Sequence, residues 1–88
     1  MPNLYKRIEV IRRTPNRELI IYRCLEVLGQ GGYVVQSADR LREPFSQKDR
    51  EVLERQFWEL LSETPPEERS APHATLEQAI AAFESEFA

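Results

Sequence analysis

Hydrophobic and polar residues alternate with a period close to two along the first half of the chain. Residues 4–13, 19–28 and 33–41 each mix β-branched, aliphatic and aromatic residues with charged ones, which is typical of strands. The segments TPNR (14–17) and GQGG (29–32) separate them, and their Pro, Asn and Gly residues favour turns. Because parallel strands need crossovers of about a dozen residues or more, these short connections predict a three-stranded antiparallel β-meander.

The period changes to that of a helix after Pro44. Ser46 is placed to cap a helix over residues 47–62, with Asp49 three residues further on. A Pro-rich, charged connector (65–73) follows, and Thr75 begins a second amphipathic helix that runs to the C-terminus. The two apolar stripes consist of Leu53, Phe57, Leu60 and Leu61 in the first helix and of Leu76, Ala79, Ile80, Phe83 and Phe87 in the second.

This element order predicts one small α+β domain over residues 1–88, with β-β-β-α-α topology and both helices packed on one face of the sheet. If both turns are four-residue loops, Arg13 pairs with Glu18 and Leu28 pairs with Tyr33. Side-chain alternation then places the chain's three tyrosines together on the second face, with Cys24 and Val35. The first face consists of Leu4, Ile8, Val10, Leu19, Ile21, Leu25, Val27, Val34 and Ala38, with Arg23 at its margin.

The aliphatic face is the better match to the two helix stripes, so we expect the tyrosine face to be uncovered. A buried Arg23 on the aliphatic face would then need a partner. An uncovered face with three tyrosines exceeds what scattered surface apolar residues explain, and tyrosine is favoured at protein interfaces. A register error of one residue would mix the two faces.

The two halves of the chain differ in charge much more than the net charge of −3 indicates. Residues 1–42 carry eight basic and four acidic residues, whereas residues 43–88 carry four basic and eleven acidic residues. The simplest interpretation is that a basic sheet attracts acidic helices within one fold, and the alternative is an interaction surface. The single cysteine and the lack of a long apolar run predict a cytoplasmic protein with no disulfide and no membrane span.

The candidate chemical motifs are weak. GQGG lacks the third glycine of a dinucleotide fingerprint, because position 34 is Val, and no Gly-Lys-Ser/Thr follows it. Cys24 and the only histidine, His73, share no local signature, and one Cys with one His falls short of a structural zinc site. The glutamates lie on helix exteriors and in the connector. We therefore expect no catalytic residue, no cofactor and no metal.

The sequence thus predicts a non-enzymatic module that binds another protein, of the adaptor, inhibitor or immunity type. The predicted partner-binding residues are Tyr5, Tyr22, Tyr33 and Val35 on the uncovered sheet face, with Glu59 and Glu63 on the first helix. A homodimer through that face is a further expectation. The alternative is a single-stranded nucleic-acid-binding protein that stacks bases on the tyrosines, although the isoelectric point near 5.2 argues against it.

Overall fold

The computed structural model describes residues 4–87 and confirms the predicted α+β topology. Three antiparallel strands, β1 (Leu4–Arg13), β2 (Leu19–Leu28) and β3 (Tyr33–Leu41), form a sheet in the order β1-β2-β3. Three helices follow: α1 (Gln47–Glu63), the short α2 (Pro66–Arg69) and α3 (Leu76–Phe87). The helix α2 lies in the predicted connector and was not expected. The predicted continuation of the last helix to Ala88 and the predicted Phe87 side-chain contact lie outside what is described.

The helix starts follow the predicted capping. Ser46 accepts a hydrogen bond from the backbone N–H of Asp49 at 3.3 Å, and Thr75 accepts one from Gln78 at 3.1 Å. Each bond satisfies one of the backbone donors that a helix leaves free in its first turn.

The strand register differs by one residue from the predicted one between β1 and β2. Thr14 pairs with Glu18 through a backbone bond of 3.0 Å, so Arg13 lies opposite Leu19 and not opposite Glu18. The turn is therefore one residue shorter than expected, and Arg17 takes its left-handed position at φ 63°. Because side chains alternate, a shift of one residue moves every β1 side chain to the opposite face relative to β2.

The pairing of β2 with β3 contains a bulge between Arg23 and Cys24 that the sequence did not reveal. Arg23 pairs with Ser37 and Cys24 pairs with Val35, so Gln36 is the extra residue. The bulge turns Gln36 toward α1, where its Nε2 donates to the backbone oxygen of Phe57 at 3.1 Å. It also changes which residues of β3 share a face.

Tyr33 pairs with Glu26 and not with Leu28 as predicted, a shift of two residues that keeps Tyr22, Cys24, Tyr33 and Val35 on one face as predicted. The shorter turn and the bulge move the side chains of β1 and of the end of β3 to the opposite face, and helices cover both sides of the sheet. One side, here the α3 face, packs against Leu76, Ala79, Ile80 and Phe83 of α3. The other side, the α1 face, packs against α1 around Phe57. The α3 face comprises Ile8, Val10, Ile20, Tyr22, Cys24, Tyr33, Val35 and Ala38, and the α1 face comprises Tyr5, Arg7, Glu9, Arg23, Leu25, Val27, Val34 and Asp39.

The expectation that both helices pack on one face is therefore wrong, as is the expectation of an uncovered tyrosine face. Each face carries buried apolar residues beneath its helix: Tyr22, Cys24 and Val35 beneath α3, and Leu25, Val27 and Val34 beneath α1. Among the described residues, no helix has the length and apolar character needed to cross a membrane.

Candidate partner-binding surface

The predicted interface residues do not form one exposed surface. Tyr22 and Val35 lie in the core beneath α3, at 2% and 6% exposure, and Tyr33 is half-buried beside them. Tyr5 lies on the opposite, α1 face. Glu59 and Glu63 are exposed on α1, as predicted for side chains that remain available to a partner.

Two of the tyrosines bind helices of their own chain. The hydroxyl of Tyr22 donates to Glu84 of α3 at 2.7 Å, and the hydroxyl of Tyr5 donates to Glu67 of α2 at 2.7 Å. Burial, followed by the bond to Glu67, raises the pKa of Tyr5 to about 12. The stacking platform expected for single-stranded nucleic acid needs several tyrosines on one open face, and this arrangement does not provide it.

Cys24 is a packed core residue. Its side chain is fully buried, its Sγ donates weakly to the backbone oxygen of Tyr22 at 3.6 Å, and burial raises its pKa to about 11. The backbone of His73 pairs in both directions with that of Tyr33, at 2.8 and 2.9 Å, so His73 holds the connector against β3. Within residues 4–87, no group of three or more His, Cys, Asp or Glu is arranged to hold a metal ion.

A network of two arginines and three carboxylates joins α1 to the sheet. Arg23 is only 5% exposed, and it contacts Asp39 at 2.8 Å, Glu9 at 3.2 Å and Glu54 at 3.5 Å. Arg7 donates two hydrogen bonds to Glu54, at 2.6 and 2.7 Å, in the paired geometry that favours Arg–carboxylate binding. Arg23 is buried and has partners, as expected, and its contact with Glu54 and the Arg7–Glu54 contact are ion pairs between the sheet and α1.

This network orients the aromatic pair of α1. The Arg7 guanidinium lies over the Phe57 ring at 4.2 Å and over the Trp58 ring at 5.3 Å, and the two rings meet edge to face at 5.1 Å. Phe57 is 1% exposed and fixes the helix on the sheet. Trp58, one residue further along, is 52% exposed.

Trp58 lies in a shallow groove on the outer side of α1. The groove is lined by Glu51, Glu54, Arg55, Trp58, Glu59 and Ser62. Of these, Glu59 reaches Arg55 only at 3.8 Å, and Glu51 accepts a hydrogen bond from Gln47. Glu63 lies one turn beyond Glu59 on the same side of the helix and forms no ion pair with any described residue. Glu63 does not line the groove, so we call Trp58, Glu51 and Glu59 the Trp58 surface.

A smaller cavity lies between β3 and the helices α2 and α3, lined in part by Gln36, Arg69 and His73. Its volume of about 160 Å³ is well below the 300 Å³ or more that is typical of ligand pockets. The Trp58 surface is therefore the better candidate for binding. The sequence predicted Glu59 as part of a binding surface but not Trp58, because helical periodicity does not show how far a residue beside the apolar stripe extends beyond the sheet.

The Arg7–Glu54 bond makes the stability of the fold depend on pH. Arg7 holds the pKa of Glu54 below its ordinary value of 4.5. The stabilisation is therefore complete above the unfolded-state pKa and is lost as the pH falls through the lower folded-state pKa. Because the Glu54 side chain is 42% exposed, we expect Glu54→Gln to reduce the free energy of unfolding at pH 7 by only about 0.5–1 kcal/mol.

Urea unfolding followed by circular dichroism at pH 7 and at about pH 3 measures this difference, which should nearly vanish at the lower pH. Glu63→Gln is the matched control, with little effect at either pH. An equal loss for Glu54→Gln at both pH values would show that the contribution is not ionic.

No protein-family model, no curated protein and no solved structure matches this chain.

Proposed function

We propose that the protein is a non-enzymatic binding module that holds a basic segment of another protein on the Trp58 surface. The observation that carries this proposal is the half-exposed Trp58 ring beside carboxylates that lack strong cationic partners in their own chain. A tryptophan face is the best aromatic acceptor for a cation, and exposed carboxylates attract the same Arg or Lys side chain. The module would act in the cytoplasm, where its single cysteine stays reduced.

The charge of the helical half supports a basic partner. Residues 43–88 carry eleven acidic and four basic residues, and several of the acids are used to hold the sheet while those of the Trp58 surface are not. Tryptophan is also among the residues that contribute most to binding energy at protein interfaces. The structure offers the ring on a helix that is itself fixed to the sheet through Phe57 and Glu54, so little ordering is needed on binding.

Trp58 is the only tryptophan, so its fluorescence reports directly on this surface. We expect a short arginine-rich peptide to change the intensity or wavelength of that emission in a saturable way. An oligoglutamate peptide of the same length should have no effect. Binding should weaken as salt rises from about 50 to 300 mM, because exposed charges are increasingly screened over that range.

The double variant Glu51→Lys/Glu59→Lys keeps Trp58 as the fluorescent reporter and should weaken peptide binding about tenfold or more, as expected for two reversed charges at an interface. Glu77→Lys/Glu86→Lys makes the same change in net charge at two exposed positions of α3 and should bind within about twofold of the unmodified protein. If both double variants weaken peptide binding equally, binding depends only on the net charge of the protein, and the proposal of a specific Trp58 surface is contradicted. A Trp58 emission that no arginine peptide alters would contradict the proposal outright.

A further inference from the structure

The outer edge of β1 presents a row of backbone groups that no other element binds. Thr14 donates to the backbone of Glu18, which places the even-numbered residues of β1 toward β2. Val27 donates to Gly32, which independently places the odd-numbered residues of β2 toward β3. The backbone N–H and C=O groups that point outward from β1 are therefore those of Tyr5, Arg7, Glu9, Ile11 and Arg13. Within residues 4–87, no turn, loop or connector forms a backbone hydrogen bond with these groups.

The two edges of the sheet differ in their regularity and in whether another segment binds them. The β3 edge is interrupted by the bulge at Gln36 and is bound by the connector, where Tyr33 and His73 exchange two backbone bonds. The β1 edge keeps an unbroken register over ten residues and contains no proline. Long, regular edges of this kind can pair with another strand, and proteins that remain monomeric usually shorten, interrupt or cover them.

We propose that β1 pairs with β1 of a second copy in antiparallel fashion, joining two three-stranded sheets into one sheet of six strands. The interface is the β1 edge, and the occupant is another molecule of the same chain. This inference does not depend on the Trp58 surface, which belongs to a different element.

The sequence of β1 is complementary to itself about Ile8. Pairing on a two-fold axis at Ile8 places Arg7 opposite Glu9 of the second copy and Glu9 opposite Arg7 of the second copy. The side chains of Arg7 and Glu9 are 27% and 43% exposed, so both can reach a neighbour while they keep their internal bonds. The same register places Tyr5 opposite Ile11, an aromatic–β-branched pair that would cover the 58% exposed Ile11.

Neighbouring registers are disfavoured by like charges. The odd-numbered residues of β1 point outward in both copies, so they must pair with each other. The two-fold axis therefore passes through a residue of β1, and the alternative registers place it one residue earlier or later. A centre at Arg7 or at Glu9 places that residue opposite its own copy, and a centre at Val10 places Arg7 opposite Arg13. The centre at Ile8 places no like charges opposite each other over residues 4–12.

Sedimentation velocity from about 1 to 500 µM, a range that spans weak to moderate dimers, tests the assembly. We expect the mass to rise with concentration from that of a 10.3 kDa monomer toward twice that value. Hydrogen exchange under the same conditions identifies the edge. The amides of Arg7, Glu9 and Ile11 should become protected as concentration rises, whereas those of Ile8 and Val10 should be protected throughout.

Ile11→Pro removes an N–H that points away from β2, so the fold should survive while one interchain bond per copy is lost. We expect the dissociation constant to rise by about a hundredfold, since the Tyr5–Ile11 contact is lost as well. Ile11→Thr keeps both the N–H and the β-branch and should dimerise within about fivefold of the unmodified chain.

Two results would overturn the proposal. One is a chain that stays monomeric over the whole concentration range, which would leave the edge to a different partner. The other is a dimer that Ile11→Pro does not weaken and in which the outward amides of β1 exchange freely. Because the exchange measurement uses the unmodified protein, the test does not depend on whether the proline variant folds.

Discussion

Replacing Phe57 by alanine is expected to lower the free energy of unfolding by about 3–5 kcal/mol, the usual cost of truncating a fully buried aromatic ring. The ring is 1% exposed, lies under the Arg7 guanidinium and contacts Trp58. A chain of 88 residues has a total stability of about 4–13 kcal/mol at typical values per residue. The loss is therefore a large fraction of the total stability, and at the lower end of that range it would unfold the chain at 25 °C.

Urea unfolding measured by circular dichroism checks this expectation. Phe45→Ala is the matched control, because Phe45 is 48% exposed and should cost only about 1 kcal/mol. Similar losses for the two variants would mean that α1 does not depend on Phe57 to hold its place on the sheet.

Replacing Arg23 by methionine is expected to cost about 3 kcal/mol at pH 7. The methionine fills the space but leaves three carboxylates without their shared cation, and removing one partner of a buried ion pair typically costs about 3–5 kcal/mol. We expect the lower end of that range, because Glu9 and Glu54 are each more than 40% exposed and can bind water, whereas Asp39 is 19% exposed.

The charge origin of this loss can be separated from packing in two ways. The double variant Arg23→Met/Asp39→Leu removes the most buried carboxylate as well and should recover most of the stability. The cost of Arg23→Met should also shrink toward pH 3, where the carboxylates bind protons. Arg17→Met, at an 83% exposed side chain with a 3.6 Å contact to Glu43, should change stability by less than about 0.5 kcal/mol. A double variant as unstable as the single one would show that packing dominates.

Both predictions concern the docking of α1, which also positions the Trp58 surface. If Phe57 or Arg23 is lost, Trp58 is no longer held beside the sheet, and binding of basic peptides should decrease along with stability. The β1 edge shares Arg7 and Glu9 with the network that holds α1, but its outward backbone groups are positioned by the β1–β2 ladder. The two proposals can therefore fail independently.

The element order could be predicted because it depends on local patterns. Strand alternation, the two turns, the Ser46 and Thr75 caps and the helical stripes are all encoded in a few neighbouring residues, and the helix starts lie within one residue of the predicted positions. The acidic character of α1 and the need of Arg23 for partners also followed from residue type alone.

The faces of the sheet could not be predicted in the same way. The turn at residues 14–17 is one residue shorter than expected, and the bulge at Gln36 adds one residue to β3. Neither feature has a strong local signal, yet the shorter turn moves the side chains of β1 to the other face and the bulge does the same for the end of β3. Tyr22 and Val35 share a face as predicted, but α3 covers that face, while Tyr5 lies on the face that α1 covers.

Local periodicity and capping depend on contacts between near neighbours, so they were enough to predict an antiparallel meander followed by amphipathic helices. The packing of α1 and α3 on opposite faces, the half-exposed Trp58, and the difference between the open β1 edge and the bound β3 edge are visible only in the folded chain. These features depend on register and on contacts between residues far apart in the chain. A difference of one residue in a turn is small in sequence but changes every cross-strand neighbour.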